Sequence, residues 1–254
     1  MTDRIEAFRA LHVPGDPLVL FNIWDAGSAK AVAAAGAKAI ATGSYGVACA
    51  RGSADGENLS LEEALANLRE ILGVTDLPVT IDMEAGYGAT AEDVRASVEG
   101  AREAGAAGIN LEDRLPGTDA VLALPEAAAR VGAAASTGLF VNARCDVFRG
   151  RNAEQDGATL VTAVRERARA YADAGAGGLF VPFLSDTRCI AAICEGSPLP
   201  VNVLWSPPLG DRAAIAELGV ARISHGHQPW AAAMAWLGEQ AAQVLGGGIP
   251  PYAA

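Results

Sequence analysis

Short runs rich in Val, Ile and Leu, each bounded by Gly or Pro, recur along the chain and alternate with alanine-rich stretches of helical period. The runs predict strands at Leu18–Trp24, Lys38–Thr42, Val79–Glu84, Gly108–Glu112, Leu139–Ala143, Gly178–Val181, Val201–Leu204 and Ala221–Ser224. Ahead of the first, Ile5, Phe8 and Leu11 mark one face of a short opening helix. Two helical stretches begin with capping boxes, Ser60-Leu-Glu-Glu63 and Thr90-Ala-Glu-Asp93, whose side chains satisfy orphan N–H groups at the helix start. The segments AAGAKAI (34–40), EAGAAGI (103–109), DAGAGGL (173–179) and ELGVARI (217–223) repeat one device. A helix ends, Gly36, Gly105, Gly175 or Gly219 takes the left-handed position after it, and a strand follows almost at once. These copies introduce the second, fourth, sixth and eighth strands, so βαβα is written four times. Eight βα units in 254 residues fit a (β/α)8 TIM barrel, with residues 1–254 as one domain. The alternative, a doubly wound open sheet, uses fewer strands, and no Gly-x-Gly-x-x-Gly follows the first strand.

Composition narrows the function classes. About half the residues (51%) are apolar, enough for a sizeable core. The net charge of −11, with no Lys/Arg cluster, argues against nucleic acid or an acidic membrane surface as partner. Cys49, Cys145, Cys189 and Cys194 form no CxxC pair, so a reducing cytoplasm is the expected location. The opening MTDRIEAFRA carries charges where a signal peptide would be apolar, and no run is suited to spanning a bilayer.

In a barrel of this kind the chemistry sits at the C-terminal ends of the strands. Those ends carry Thr42-Gly43-Ser44-Tyr45-Gly46, Asp82-Met-Glu84 with Gly86-Tyr87-Gly88, Asn110-Leu-Glu112-Asp113-Arg114, Asn142-Ala-Arg144-Cys-Asp146, Val181-Pro182-Phe183, Asn202 with Leu204, and Ser224-His-Gly-His227. Asp82 and Glu84 are two apart, which on a strand turns them the same way. Two such carboxylates repel unless a cation or a proton lies between them. With Glu112 on the neighbouring strand they form an oxygen-rich nest suited to Mg²⁺ or Mn²⁺; the alternative is that each acid caps a helix or pairs with an arginine. The glycines beside Tyr87 let the backbone turn sharply and approach a ligand. Arg144 has the fork to hold a carboxylate, or else pairs with Asp146 or Glu112. Gly43 to Gly46 offers N–H groups to an anion, or is a plain turn. Asn202 is a further candidate for substrate contact. His225 and His227 lack a third metal-ligating partner and read as structural, and the four cysteines as buried fillers.

Asp82-Met-Glu-Ala-Gly-Tyr-Gly88, Leu111-Glu-Asp113, Asn142-Ala-Arg-Cys-Asp146 and Asp55-Gly-Glu57 resemble the isocitrate lyase/phosphoenolpyruvate mutase superfamily, in order, over about residues 18–230. The resemblance implies a Mg²⁺-dependent barrel enzyme that cleaves or rearranges a C–C or P–C bond next to a small 2-oxo acid, or in a phosphonate, through an enolate-like species. It implies that Asp82 binds Mg²⁺ directly while Asp55, Glu84 and Glu112 hold its waters. Ser44, Tyr45 and Gly46 would bind the substrate carboxylate and Arg144 the substrate oxygens, with Arg144, Asp55 and Glu112 as the catalytic set. The lyases of the superfamily carry a Lys-Lys/Arg-Cys-Gly-His motif after the fourth strand; here RLPGTDAVLALPEAAAR (114–130) has no Lys, Cys or His. The phosphonate-acting members place an Asn on that loop and a His after the sixth strand, where this chain has Thr118-Asp119 and Pro182. A lyase, decarboxylase or hydrolase acting on a 2-oxo acid is the leading expectation. A phosphonomutase-like enzyme and a barrel that binds a 2-oxo acid without turnover are the alternatives. Trp230, Met234, Leu237, Ala241 and Val244 lie at helical spacing after the eighth strand. The resemblance implies that this eighth helix swings out onto a partner barrel, giving dimers that pair into tetramers.

Overall fold

The protein is described by a computed structural model covering residues 2–250 and 252; the outermost positions of the expected 1–254 domain lie outside the described residues. In chain order the elements are α1 (Thr2–Ala10), β1 (Leu18–Leu20), α2 (Ala26–Ala34), β2 (Ile40–Ala41), α3 (Ser44–Ala50), α4 (Leu61–Leu72), β3 (Val79–Asp82), α5 (Ala91–Ala104) and β4 (Gly108–Glu112). There follow α6 (Leu124–Ala135), β5 (Phe140–Arg144), α7 (Ala153–Asp173), β6 (Gly178–Val181), α8 (Thr187–Gly196), β7 (Val201–Leu204), α9 (Arg212–Glu217), β8 (Arg222–Ser224) and α10 (Gln228–Leu245). All strand pairs are parallel and run β1-β8-β7-β6-β5-β4-β3-β2. Between β1 and β2 the ring closes through a parallel bridge of Ile23 and Thr42. The result is the (β/α)8 barrel that the alternating pattern predicts.

The local devices explain where elements start and stop. Ser60 and Thr90 both form reciprocal capping boxes, with Glu63 and Asp93. The repeated glycines adopt φ of +95° (Gly36), +109° (Gly105), +96° (Gly175) and +81° (Gly219), a region closed to most side chains. Four strands, β1, β2, β3 and β8, are shorter than the pattern predicts, and for β1 and β3 the cause is local. β1 ends at Leu20 rather than Trp24 because Asn22 continues the stitching with its side chain. Its Nδ2 donates to the Thr42 carbonyl (2.8 Å), and its Oδ1 accepts from the His225 and Gly226 N–H groups (2.9 and 2.8 Å). β3 ends at Asp82 because Glu84 takes φ +48°.

Inside the barrel, two layers differ in character. The N-terminal end is plugged by Phe8 of α1, fully buried against Leu18, Leu20, Ala39, Ala41, Ala107 and Phe140. The Phe8 and Phe140 rings meet edge to face at 5.3 Å, and His12 stacks on Phe140 at 4.3 Å. Nearer the mouth the interior turns polar. Thr80, Asn110, Asn142, Asn202, Arg222 and Ser224 are all buried. Branched aliphatics fill this position in most such barrels. Deleting the plug ring tests the first layer: Phe8→Ala is expected to cost about 3–5 kcal/mol of unfolding free energy, read as a lowered urea midpoint.

A carboxylate-rich cavity at the strand ends

A cavity of about 270 Å³ opens at the C-terminal ends of the strands, lined by the acids Asp55, Asp82, Glu84 and Glu112 and by Arg114, Arg144 and Arg149. Ser44, Tyr45, Asn110, Ser224 and His227 complete much of its wall. The acids therefore share one space, as their strand-end positions predict. The route for Glu84 differs from the expected one. It lies beyond the end of β3 in the left-handed region, so strand alternation does not aim it; a strained turn does.

That turn is held from two sides. Glu57 donates its N–H to Glu84 Oε2 (2.9 Å) and accepts the Tyr87 N–H at Oε1 (2.9 Å). Arg130, 2% exposed, donates to the carbonyls of Ala85 (2.7 Å), Gly88 (2.8 Å) and Ala89 (3.1 Å). The two glycines serve packing here rather than ligand approach. A Cβ on Gly86 would lie 2.9 Å from Val94, and one on Gly88 would lie 2.5 Å from the Asp93 Cβ. Neither lines the cavity. Arg130 closes the very stretch, 114–130, that is stripped of thiol and imidazole. Its role as a carbonyl clamp carries no local sequence signal.

Asp82 sits at the centre of the acid side, partly open to the cavity but deep below the surface. Its Oδ2 accepts the N–H of Ser44 (3.2 Å), the first residue of α3. The Gly43–Gly46 segment is thus a helix start rather than a plain turn. Burial raises the Asp82 carboxyl, against the pull of Arg144, and the Asp55 charge adds to the rise. Burial, then Asp82 and Asp55, raise Glu84 to about 7. Burial raises Glu112 to about 8, opposed by Arg144 and assisted by Asp146 and Asp82. Among the described residues no three His, Cys, Asp or Glu side chains already converge as a ligand cage. Asp82, Glu84 and Glu112 line the same cavity as an open arc of carboxylates. The unneutralised charge fits a hard divalent cation, and the openness fits Mg²⁺, which keeps several waters and takes only one or two carboxylates directly.

Arg144 realises its ion-pair alternative and faces the cavity as well. Nε and Nη2 donate to the two oxygens of Asp146 (2.7 and 2.9 Å), and Nη1 donates to Glu112 (2.5 Å). The Asp146 and Glu112 charges hold its guanidinium protonated despite burial. Arg114 bridges the same two acids at 3.3 and 3.5 Å. Asp113 is an anchor instead: it accepts from Arg167 (3.0 Å), the Tyr171 hydroxyl (2.7 Å) and the Asp146 N–H (2.9 Å), tying the ends of β4 and β5 to α7.

Asn202 does not line the cavity. It is 1% exposed, and its Nδ2 donates to Ser224 Oγ (3.2 Å), a residue of the cavity wall, so Asn202 supports the wall from beneath. His227 lies in the cavity wall, its ring 5.5 Å from that of Tyr45, and His225 stacks on Trp205 at 5.7 Å. Of the four free cysteines only Cys145 is fully buried; Cys49, Cys189 and Cys194 keep some exposure.

A (β/α)8 barrel with an acid arc facing an arginine wall at its strand ends defines the class. More particularly, the chain belongs to the phosphoenolpyruvate phosphomutase family, within the isocitrate lyase/phosphoenolpyruvate mutase superfamily: the family's sequence model matches residues 8–245. An uncharacterized protein of Mycobacterium tuberculosis is 36% identical over 236 residues, which cover 90% of this chain and 84% of that one. An oxaloacetate decarboxylase of Rhodopseudomonas palustris is 35% identical over 180 residues, covering 69% of this chain and 62% of that one. Among solved structures, a phosphonomutase-like protein of Burkholderia cenocepacia is 46% identical and superposes with a TM-score of 0.92 over 96% of this chain and 100% of that one.

The raised carboxyls set a pH dependence. In the unfolded chain Glu84 and Glu112 lose their protons near 4.5, and in the folded chain only near 7 and 8. Between those values the folded state binds more protons, so the stability contributed by these groups falls as pH rises. The unfolding temperature of metal-stripped protein is expected to drop from about pH 5 to about pH 8, with Mg²⁺ raising it more at the higher pH. Scanning fluorimetry checks both.

Proposed function

We propose that the protein is a Mg²⁺-dependent lyase of the carbon–carbon or phosphorus–carbon type, acting next to the carbonyl of a small 2-oxo acid through an enolate-like species. The observation that carries this reading is the shared cavity, in which Asp55, Asp82, Glu84 and Glu112 face Arg144 across the strand ends. Bound there, Mg²⁺ supplies a Lewis acid for the substrate oxygens. Asp82 would hold it, and Asp55, Glu84 and Glu112 would receive its waters. The N–H groups of Tyr45 and Gly46, in the first turn of α3, have no helical acceptor and suit a substrate carboxylate. Ser44 adds its hydroxyl, since its N–H is already given to Asp82. Arg144, fixed by Asp146, presents its remaining Nη hydrogens to charge developing on the substrate oxygen. The absence of a thiol or imidazole on 114–130 favours decarboxylase or hydrolase chemistry over thiol-assisted lyase chemistry, and oxaloacetate is the first substrate to try. A phosphonopyruvate-type substrate is the second, on the family match.

A screen of 2-oxo acids and phosphonates with Mg²⁺, scored by pyruvate release, tests the reading; saturable binding without product would turn it into a binding protein. Asp82→Ala is expected to lower kcat/KM about a hundredfold or more, and Arg144→Lys about tenfold or more because the fork on Asp146 is lost.

We further propose that the protein is a cytoplasmic homo-oligomer. Four free thiols fit a reducing compartment, and among the described residues no helix is long and apolar enough to cross a membrane. Only Pro229 of α10 is buried, while Met234, Trp236 and Leu237 are 36%, 54% and 53% exposed. The place where an eighth helix would dock at home is open. It is an apolar groove of about 770 Å³ beside β1, lined by Leu11, Val19, Phe21, Val32 and Ala35 and reaching Arg212 of α9. A partner's α10 fits that groove in character, as an exchanged helix. Light scattering is expected to give a dimer or tetramer at micromolar concentration, and removal of residues 228–254 to reduce it to a monomer.

A further inference from the structure

Among the described residues Arg222 is the largest fully buried side chain, lodged inside the barrel one layer below the cavity. No carboxylate is bonded to it among the described residues. Its Nη2 donates to Asn110 Oδ1 (3.1 Å) and its Nε to Ser224 Oγ (3.3 Å). Burial draws its pKa down to about 9, so at neutral pH it stays a cation that can only donate. A donor-only neighbour settles an ambiguity that amide side chains otherwise keep. The atom of Asn110 facing Arg222 has to be the oxygen. The atom of Asn142 facing that oxygen, at 2.9 Å, then has to be its nitrogen.

The consequence lies on the other side of Asn110. This residue lines the cavity, and in the sheet register it stands beside Asp82. With Oδ1 turned down to two donors, the group it shows the cavity is Nδ2, which has no acceptor among the described residues. We propose that Asn110 is a substrate-binding residue whose Nδ2 donates to an acceptor oxygen of the ligand, and that Arg222 is the positioning residue that holds the amide in that orientation. The chemistry selects carboxylate, carbonyl or enolate oxygens over an ammonium group, so a 2-oxo acid is taken and the corresponding 2-amino acid is refused. This assignment rests on the 2-oxo acid reading of the site and adds the residue that distinguishes oxo from amino. A buried cation without a bonded carboxylate is costly to keep, and fixing an amide at the site gives it a purpose.

The test is calorimetric binding of oxalate, a planar dianion that offers only acceptors, in the presence of Mg²⁺. Asn110→Asp keeps the shape and gives Arg222 a carboxylate, so the fold persists, but it replaces the donor with a second acceptor. Its oxalate Kd is expected to rise about tenfold or more, with the unfolding temperature unchanged or higher. Arg222→Met frees the amide and is expected to weaken oxalate severalfold, while Arg222→Lys, still donor-only when charged, restores much of the affinity. Wild-type protein that fails to bind oxalate would overturn the 2-oxo acid reading and this assignment with it. Wild-type binding that Asn110→Asp leaves unchanged would overturn the role of Asn110 alone. Weakening by Asn110→Asp without weakening by Arg222→Met would overturn the positioning role of Arg222.

Discussion

Like charges crowded into a small, partly dry space constrain everything else at the mouth of this barrel. Asp82, Glu84 and Glu112 are each pushed toward their protonated forms by burial and by neighbouring acids: Asp55 acts on Asp82, Asp82 and Asp55 on Glu84, and Asp146 and Asp82 on Glu112. Such a group persists only if the surroundings hold it in place and a cation completes it. The arginines opposite are part of the answer, but Arg144 and Arg114 are largely spent on Asp146 and Glu112. Positive charge is therefore short at Asp82, which is why a divalent ion is proposed there.

Holding the acids takes scaffolding of two kinds. One is interior: Asp113, Arg167 and Tyr171 bind the ends of β4 and β5 to α7, so Glu112 and Arg144 meet at a fixed separation. The other is a clamp around a strained turn. Glu84 and Tyr87 both take positive φ, at about 1 kcal/mol or more each for a residue with a side chain. Glu57 and the Arg130 guanidinium supply bonds that offset this. Strain of this sort collects where a side chain must point against its strand. Phe183, also at positive φ, sits on the opposite wall under the Arg144 and Arg149 guanidiniums.

The polar layer beneath the cavity joins site and fold. A barrel filled only with aliphatic side chains would be easier to stabilise, yet here a guanidinium, three asparagines, a serine and a threonine occupy the interior. Their bonds run upward into residues of the cavity wall, Asn110 and Ser224. Rigidity of the wall is thus obtained from below, by Arg222, Asn142 and Asn202, which do not line the cavity.

Much of this was legible in the chain itself. Strand and helix identities follow from the period of apolar positions, and β4, β6 and β7 fall on the predicted residues because Gly or Pro bounds them tightly. The four repeated glycines and the two capping boxes act within a few residues of themselves, so sequence alone determines them. The acids and Arg144 at the strand ends were readable for the same reason: a strand delivers its last residues to one rim. What needed the tertiary structure is each outcome that depends on partners far apart in the chain. Arg130 reaches the turn at Ala85–Ala89, Arg222 reaches Asn110, and Asn202 bonds to Ser224 without lining the cavity itself. Glu84 enters the cavity through a left-handed turn that no alternation rule foresees. Periodicity records which way a side chain faces along its own element; which group it then meets is decided by the closing of the barrel, which brings residues a hundred positions apart within 3.1 Å.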